Sequence, residues 1–143
     1  MAFYALLILS VMFALLRGGK PEQYGALAII VMTALQFASL LVEPTLFRTV
    51  DPASVVVDIF GVATFGALAI YSRRVWPIWA ASLQLLSLSS HFARDVDPRV
   101  EPIVYVVMAT APTFMLLLAL LLGTIFHRRR LRRHGVDPSW MDW

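Results

Sequence analysis

Cysteine is absent from this sequence of 143 residues, which excludes disulfide bonds, thiolate metal sites and thiol redox chemistry together. Charged residues are scarce, at 15%, whereas hydrophobic residues make up 59% of the chain and the mean hydropathy is +0.76. A soluble domain of this length would lack the polar surface needed to cover so many apolar side chains. Linkers rich in glycine or serine are also absent, so one domain is expected.

Five long apolar segments make up most of the chain and predict an all-α, polytopic membrane bundle of five transmembrane helices. The segments are longer than strands and lack an alternation of period two, so each is predicted as a helix. The predicted spans are about residues 2–16, 22–42, 52–72, 76–93 and 100–126. They form a single transmembrane domain over residues 1–126, followed by a basic cytoplasmic tail over residues 127–143.

The charges in the connections alternate in sign along the chain. Excess Lys and Arg marks the cytoplasmic side of a membrane protein, so the N-terminus is expected outside and the tail inside. No basic residue precedes the first apolar run and Arg17 follows it, an order that favours an uncleaved anchor over a secretory signal. The basic groups are Arg17/Lys20, Arg73/Arg74 and Arg128, Arg129, Arg130, Arg132 and Arg133; the acidic groups are Glu43/Asp51 and Asp95/Asp97/Glu101.

Polar residues inside the spans predict one intramembrane cluster. Gln84, Ser87 and His91 are spaced by three and four, which places them on one helical face. The connection between spans 3 and 4 is short, so Asp58 and His91 are expected at the same height, opposite each other in an antiparallel hairpin. The predicted cluster, in the outer half of the bundle, comprises Asp58, His91, Glu43, Gln84, Ser87, Gln36 and Tyr105.

Two interpretations of that cluster remain open. Buried polar side chains hold membrane helices together by hydrogen bonds, which is a purely structural role. A carboxylate beside an imidazole also tends to shift both pKa values, which would suit a site that responds to protons or cations. The spacing shows no H-x-x-x-H or E-x-x-H pair and no nucleophile with a base, so no metal, cofactor or catalytic residue is expected.

Two further features concern packing. Gly61, Ala63, Gly66, Ala67 and Ala69 crowd span 3, which predicts either the central helix of the bundle or a face that meets a partner. Trp76 and Trp79 are expected at the level of the lipid head groups.

The basic tail is predicted to contact anionic lipid at the cytoplasmic face through Arg128, Arg129, Arg130, Arg132 and Arg133, or to dock a cytoplasmic partner. The net charge of +3 sits beside the last span, so nucleic acid is not an expected partner.

The segment from Arg73 to Gln84, with Ser90-His91, Asp97-Pro98 and the ending from Arg129 to Trp140, resembles known sequences. These are small, uncharacterised multi-span inner-membrane proteins of alphaproteobacteria, the sphingomonads in particular. The resemblance covers about residues 55–140 and implies a bacterial inner membrane without implying any chemistry.

Three functions are consistent with the sequence. The first is a non-catalytic inner-membrane protein, acting as an accessory or assembly subunit that packs against lipid or a larger membrane complex. The second is a small oligomeric proton or cation transporter, or a channel component, that uses Asp58 and His91. The third, with the least support in the sequence, is a membrane-embedded enzyme. We expect a multi-pass protein of the bacterial inner membrane whose partners are the bilayer and either copies of itself or a larger complex.

Overall fold

The computed structural model describes residues 1–42, 52–97, 99 and 101–142, and within these ranges the chain forms five α-helices. They are α1 (Ala2–Arg17), α2 (Lys20–Val42), α3 (Pro52–Tyr71), α4 (Trp76–Val96) and α5 (Pro102–His134). The predicted all-α architecture is therefore confirmed. Four helices end close to the predicted positions, whereas α5 continues past residue 126 to His134 and takes much of the predicted tail into the helix.

Proline and glycine mark the ends of several helices for simple reasons. Pro77 and Pro102 lie in the first turns of α4 and α5, where a missing N–H costs nothing and the fixed φ suits a helix. Helix α5 is capped by Gly135, the residue after its last, whose φ of 72° is a left-handed conformation that glycine adopts without strain. The N–H of Gly135 donates to the Leu131 carbonyl at 2.9 Å and closes the last turn.

Of the helices in the described ranges, three are long and apolar enough to cross a membrane, namely α2, α3 and α5. This finding suggests a multi-pass membrane protein. Helix α1 is also apolar but has only 16 residues. Helix α4 is less apolar because one of its faces carries Gln84, Ser87, Ser90 and His91, all buried against neighbouring helices.

The helices pack in a ring in which each contacts its neighbours in the chain and α5 closes against α1 and α2. Helix α3 packs chiefly against α2 and α4, whereas α5 packs against α1, α2 and α4, so the prediction that α3 is the central helix is wrong. Small residues allow close approach on one face of a helix but do not determine how many neighbours the helix has. The shared core contains Ile29, Phe65, Leu117 and Leu120, which are buried.

Trp76 lies inside the bundle, although it was expected to face the lipid head groups. The residue is 5% exposed, and its indole fits between Gly25 of α2 and Gly123 of α5. A Cβ atom would come within 2.3 Å of the indole at Gly25 and within 2.4 Å at Gly123, so both positions need glycine for this approach. Trp79, one turn further along α4, is exposed. Trp76 thus joins α2, α4 and α5 at one end of the core.

Candidate functional site

The predicted polar cluster forms at the end of the bundle opposite the α3–α4 connection. Asp58 of α3, Ser87 and His91 of α4 and Tyr105 of α5 are all buried there and hydrogen-bonded to one another. The predicted contact between Asp58 and His91 is confirmed, since Nε2 of His91 lies 3.1 Å from Oδ2 of Asp58. We call these four residues the Asp58 cluster.

The hydrogen bonds of the Asp58 cluster are consistent with one arrangement of protons. The Ser87 hydroxyl donates to Oδ2 of Asp58 at 2.7 Å, and Nε2–H of His91 donates to the same oxygen. A neutral imidazole then accepts at Nδ1 from the Tyr105 hydroxyl, 2.7 Å away. The guanidinium of Arg94 stacks 4.4 Å above the Tyr105 ring. The chain of bonds joins three helices around one carboxylate.

The other residues of the predicted cluster lie elsewhere. Gln84 is buried deeper along α4, where its amide nitrogen is 3.7 Å from the Met32 sulfur. Gln36 joins α2 to α3 through a hydrogen bond of 3.1 Å to the Ser54 hydroxyl. Glu43 lies outside the described residues. The prediction therefore identified the members of the Asp58 cluster, whereas Gln84 and Gln36 have hydrogen-bond partners of their own in Met32 and Ser54.

A second buried cluster at the opposite end of the bundle was not predicted, and we call it the Arg74 cluster. Its central residue is Arg74, in the α3–α4 connection, whose side chain is 1% exposed. Nε of Arg74 donates to Oε1 of Glu22 at 3.0 Å, and Nη2 lies 3.1 Å from Oδ2 of Asp137. The indole Nε1 of Trp76 donates to the same Glu22 oxygen at 3.1 Å. One guanidinium thus connects α2, the α3–α4 connection and the segment after α5.

The segment after α5, residues 135–142, folds back over the α3–α4 connection, and we call it the return segment. The N–H of Arg73 donates to the Ser139 carbonyl at 3.1 Å, and the N–H of Met141 donates to the Tyr71 carbonyl at 2.8 Å. These bonds pair Ser72 with Trp140 in a short antiparallel bridge. The predicted basic tail is thus a helical extension followed by a segment that is hydrogen-bonded to the α3–α4 connection.

Asp137 anchors the return segment and is surrounded by hydrogen-bond donors. Nδ1 of His127 lies 2.6 Å from Oδ2 of Asp137, and Nε of Arg130 lies 3.1 Å from Oδ1. Burial raises the pKa of Asp137, but the hydrogen bonds from His127 and Arg130 and the charge of Arg74 outweigh it, so the pKa falls below its usual value. The carboxylate is therefore held in its charged form.

One signal in the sequence indicates the Arg74 cluster. Acidic residues are unexpected at the basic end of a membrane protein, and each one described there pairs with an arginine. Glu22 and Asp137 contact Arg74, and Asp142 forms a bridge of 3.0 Å to Arg73. An acid among basic connections thus identifies an ion pair, although the sequence does not show which arginine it meets.

The predicted lipid-facing arginines fall into two groups. Arg130 forms an ion pair with Asp137, so its charge is balanced within the chain. The others form no ion pair with any described residue; they are Arg128, Arg129, Arg132 and Arg133.

Within residues 1–42, 52–97, 99 and 101–142, no group of three or more His, Cys, Asp or Glu side chains is placed to hold a metal ion. Comparison with known proteins found no matching family model, no matching curated protein and no matching solved structure.

Proposed function

We propose that this chain is a five-span protein of a bacterial inner membrane that acts as a non-catalytic accessory or assembly subunit. Helices α2, α3 and α5 have the length and apolar character of membrane spans, and α1 and α4 pack in the same ring. The ion pairs of Glu22 and Asp137 with Arg74 bring α2, the α3–α4 connection and the end of α5 together. The basic connections therefore meet at one end of the bundle, which supports a cytoplasmic location for that end.

The observation that carries this proposal is the separation of the two polar clusters by apolar core. Asp58 lies 13 residues before Tyr71, the last residue of α3, which corresponds to about 20 Å of helix. Gln84 occupies part of this distance, but the buried side chains between Gln84 and Trp76 include Phe65, Ala80 and Leu117. Proton transfer needs a continuous series of polar groups or water, and the side chains of Phe65, Ala80 and Leu117 supply no such group. Both clusters therefore suit a structural role.

A transporter is the second candidate, because one observation favours it. Asp58 and His91 form a buried pair of titratable groups with a separation of 3.1 Å, and such pairs inside membrane helices often mark proton relays. In that case, an oligomer would have to supply the path that the apolar core interrupts within one chain.

Proton flux in reconstituted vesicles distinguishes these two functions. The purified full chain and its Asp58→Asn variant are placed in vesicles that contain a pH-sensitive dye, and an acid jump is applied outside. We expect both proteins to give the slow baseline of protein-free vesicles. If the wild type gives proton flux and Asp58→Asn loses it with unchanged expression and thermal stability, the chain is a transporter and the accessory role is contradicted.

The accessory role itself is tested on the outward face of α3. Ala63 and Ala67 are exposed there, one turn apart, and a Cβ added at Gly66 meets nothing within 4 Å. We expect native nanodiscs that carry the tagged chain to contain a larger membrane protein at constant stoichiometry. The substitution Ala63→Leu should release that protein. Ala5→Leu on α1 is the matched control, because Ala5 is also an exposed helical alanine. Recovery of the wild type alone, or only with copies of itself, would contradict the accessory role.

A further inference from the structure

A cavity lies between the ends of α1 and α5, on the side of the bundle away from the return segment. Its volume is about 410 Å³, within the range of sites that bind small molecules. We call it the α1–α5 basic pocket; its lining residues are Phe13, Arg17, Ile125, Arg128, Arg129 and Arg132.

No acid among the described residues forms an ion pair with the arginines of this pocket. The acids described at this end are committed to other arginines, since Glu22 and Asp137 bind Arg74 and Asp142 binds Arg73. Within the described ranges, no ion pair involves Arg17, Arg128, Arg129 or Arg132. Several like charges around one cavity repel each other, and an anion in the cavity would remove that repulsion.

In this pocket, attraction for an anion has to come from side chains and not from the helix ends. Arg17 is the last residue of α1, and the pocket arginines of α5 lie in its last two turns. Both helices thus present their C-terminal ends, where the helix dipole disfavours an anion. The guanidinium groups must therefore supply the attraction, and their planar donors match the oxygens of phosphate.

We infer that the α1–α5 basic pocket binds a phospholipid head group that carries two phosphates, the chemistry of cardiolipin. Phe13 and Ile125 give the pocket an apolar wall that continues the lipid-facing surface of α1 and α5, so acyl chains can leave the pocket along the helices. Basic pockets between helices at the cytoplasmic side suit such head groups. The inference rests on the proposed membrane placement, but it requires neither a partner protein nor a particular orientation.

The test compares two pairs of substitutions with equal change in charge. Arg17→Gln with Arg128→Gln removes charge from the pocket, whereas Lys20→Gln with Arg133→Gln removes the same charge outside it. The full chain is purified in a neutral detergent, and bound cardiolipin is counted by native mass spectrometry over a titration. We expect the pocket pair to raise the Kd for cardiolipin roughly thirtyfold. The factor by which the control pair raises this Kd should be at least about fivefold smaller.

Competition identifies the ligand, with inorganic pyrophosphate and phosphatidylglycerol as probes. We expect millimolar pyrophosphate to displace little cardiolipin and phosphatidylglycerol, which has one phosphate, to bind more weakly. Equal losses in the two variant pairs would contradict a specific pocket, and full displacement by pyrophosphate would assign it to a soluble anion. Unchanged thermal stability of both pairs without lipid shows that folding is intact. Failure here leaves the flux and nanodisc results unaffected, so it is distinguishable from failure of the accessory role.

Discussion

Replacing Glu22 with alanine tests whether the Arg74 cluster holds the basic end of the bundle together. The substitution leaves the buried guanidinium of Arg74 with Asp137 as its remaining carboxylate and leaves the Trp76 indole N–H without its acceptor. Breaking a buried ion pair from one side costs about 3–5 kcal/mol, because the other charge stays buried without its partner. We expect Glu22→Ala to reduce the free energy of unfolding by about this amount.

The chain offers a matched control for burial. The pairs Arg74–Glu22 and Arg73–Asp142 have the same N–O distance, 3.0 Å, but their side chains are 1% and 0% exposed in the first pair and 44% and 92% exposed in the second. Exposed ion pairs contribute less than about 1 kcal/mol. We therefore expect Asp142→Ala to change the stability by less than that value.

Removing the charges of Glu22 and Arg74 together should reduce the free energy of unfolding by less than the sum of the two single substitutions. Oε2 of Glu22 is buried without a hydrogen-bond partner among the described residues, so part of the desolvation cost of this carboxylate is not recovered. In the double variant Glu22→Leu with Arg74→Met, that cost disappears along with the attraction. Unfolding is followed by tryptophan fluorescence during titration with sodium dodecyl sulfate in mixed micelles. Equal losses for Glu22→Ala and Asp142→Ala would refute the reasoning.

Two further predictions concern packing and pH. Gly123→Ala should lower the stability by about 1–3 kcal/mol, because the new Cβ meets the near end of the buried Trp76 side chain. Gly66→Ala should be neutral or stabilising by up to about 1 kcal/mol, because the space there is open. The same detergent titration measures both, and equal effects would contradict the fit around Trp76. Asp137 has a lowered pKa in the folded chain, so its contribution should be fully present above its unfolded pKa of about 3.9 and lost as the pH falls through the folded value. The difference in stability between wild type and Asp137→Asn should therefore shrink below about pH 4, and a constant difference down to pH 2 would contradict this assignment.

The helices and the Asp58 cluster were predictable because local rules govern both. Long apolar runs end at charged residues and prolines, and these positions fix most helix boundaries to within a few residues. A short connection makes α3 and α4 antiparallel, so residues at equal distances from it face each other. This geometry alone brings Asp58 and His91 together.

The Arg74 cluster was not predictable from such rules. Arg74 is separated from Glu22 by 52 positions and from Pro138 by 64, and neither helical periodicity nor a turn relates these residues. Trp76 was misplaced for a similar reason, because its binding space is formed by glycines on two other helices. The preference of tryptophan for membrane interfaces is a statistical property of exposed positions and cannot identify a buried one.

The hydrogen bonds of the return segment determine when this fold can be completed during synthesis. The ribosome adds about 5–20 residues per second, so Pro138 follows Arg74 by roughly 3–13 s, given a separation of 64 positions. During that interval, Arg74 already has Glu22 but lacks Asp137 and the Pro138 carbonyl. The buried guanidinium of Arg74 therefore lacks part of its hydrogen-bond partners until almost the whole described chain has been translated. A stop codon placed just before Asp137 would leave Arg74 permanently without Asp137 and the Pro138 carbonyl.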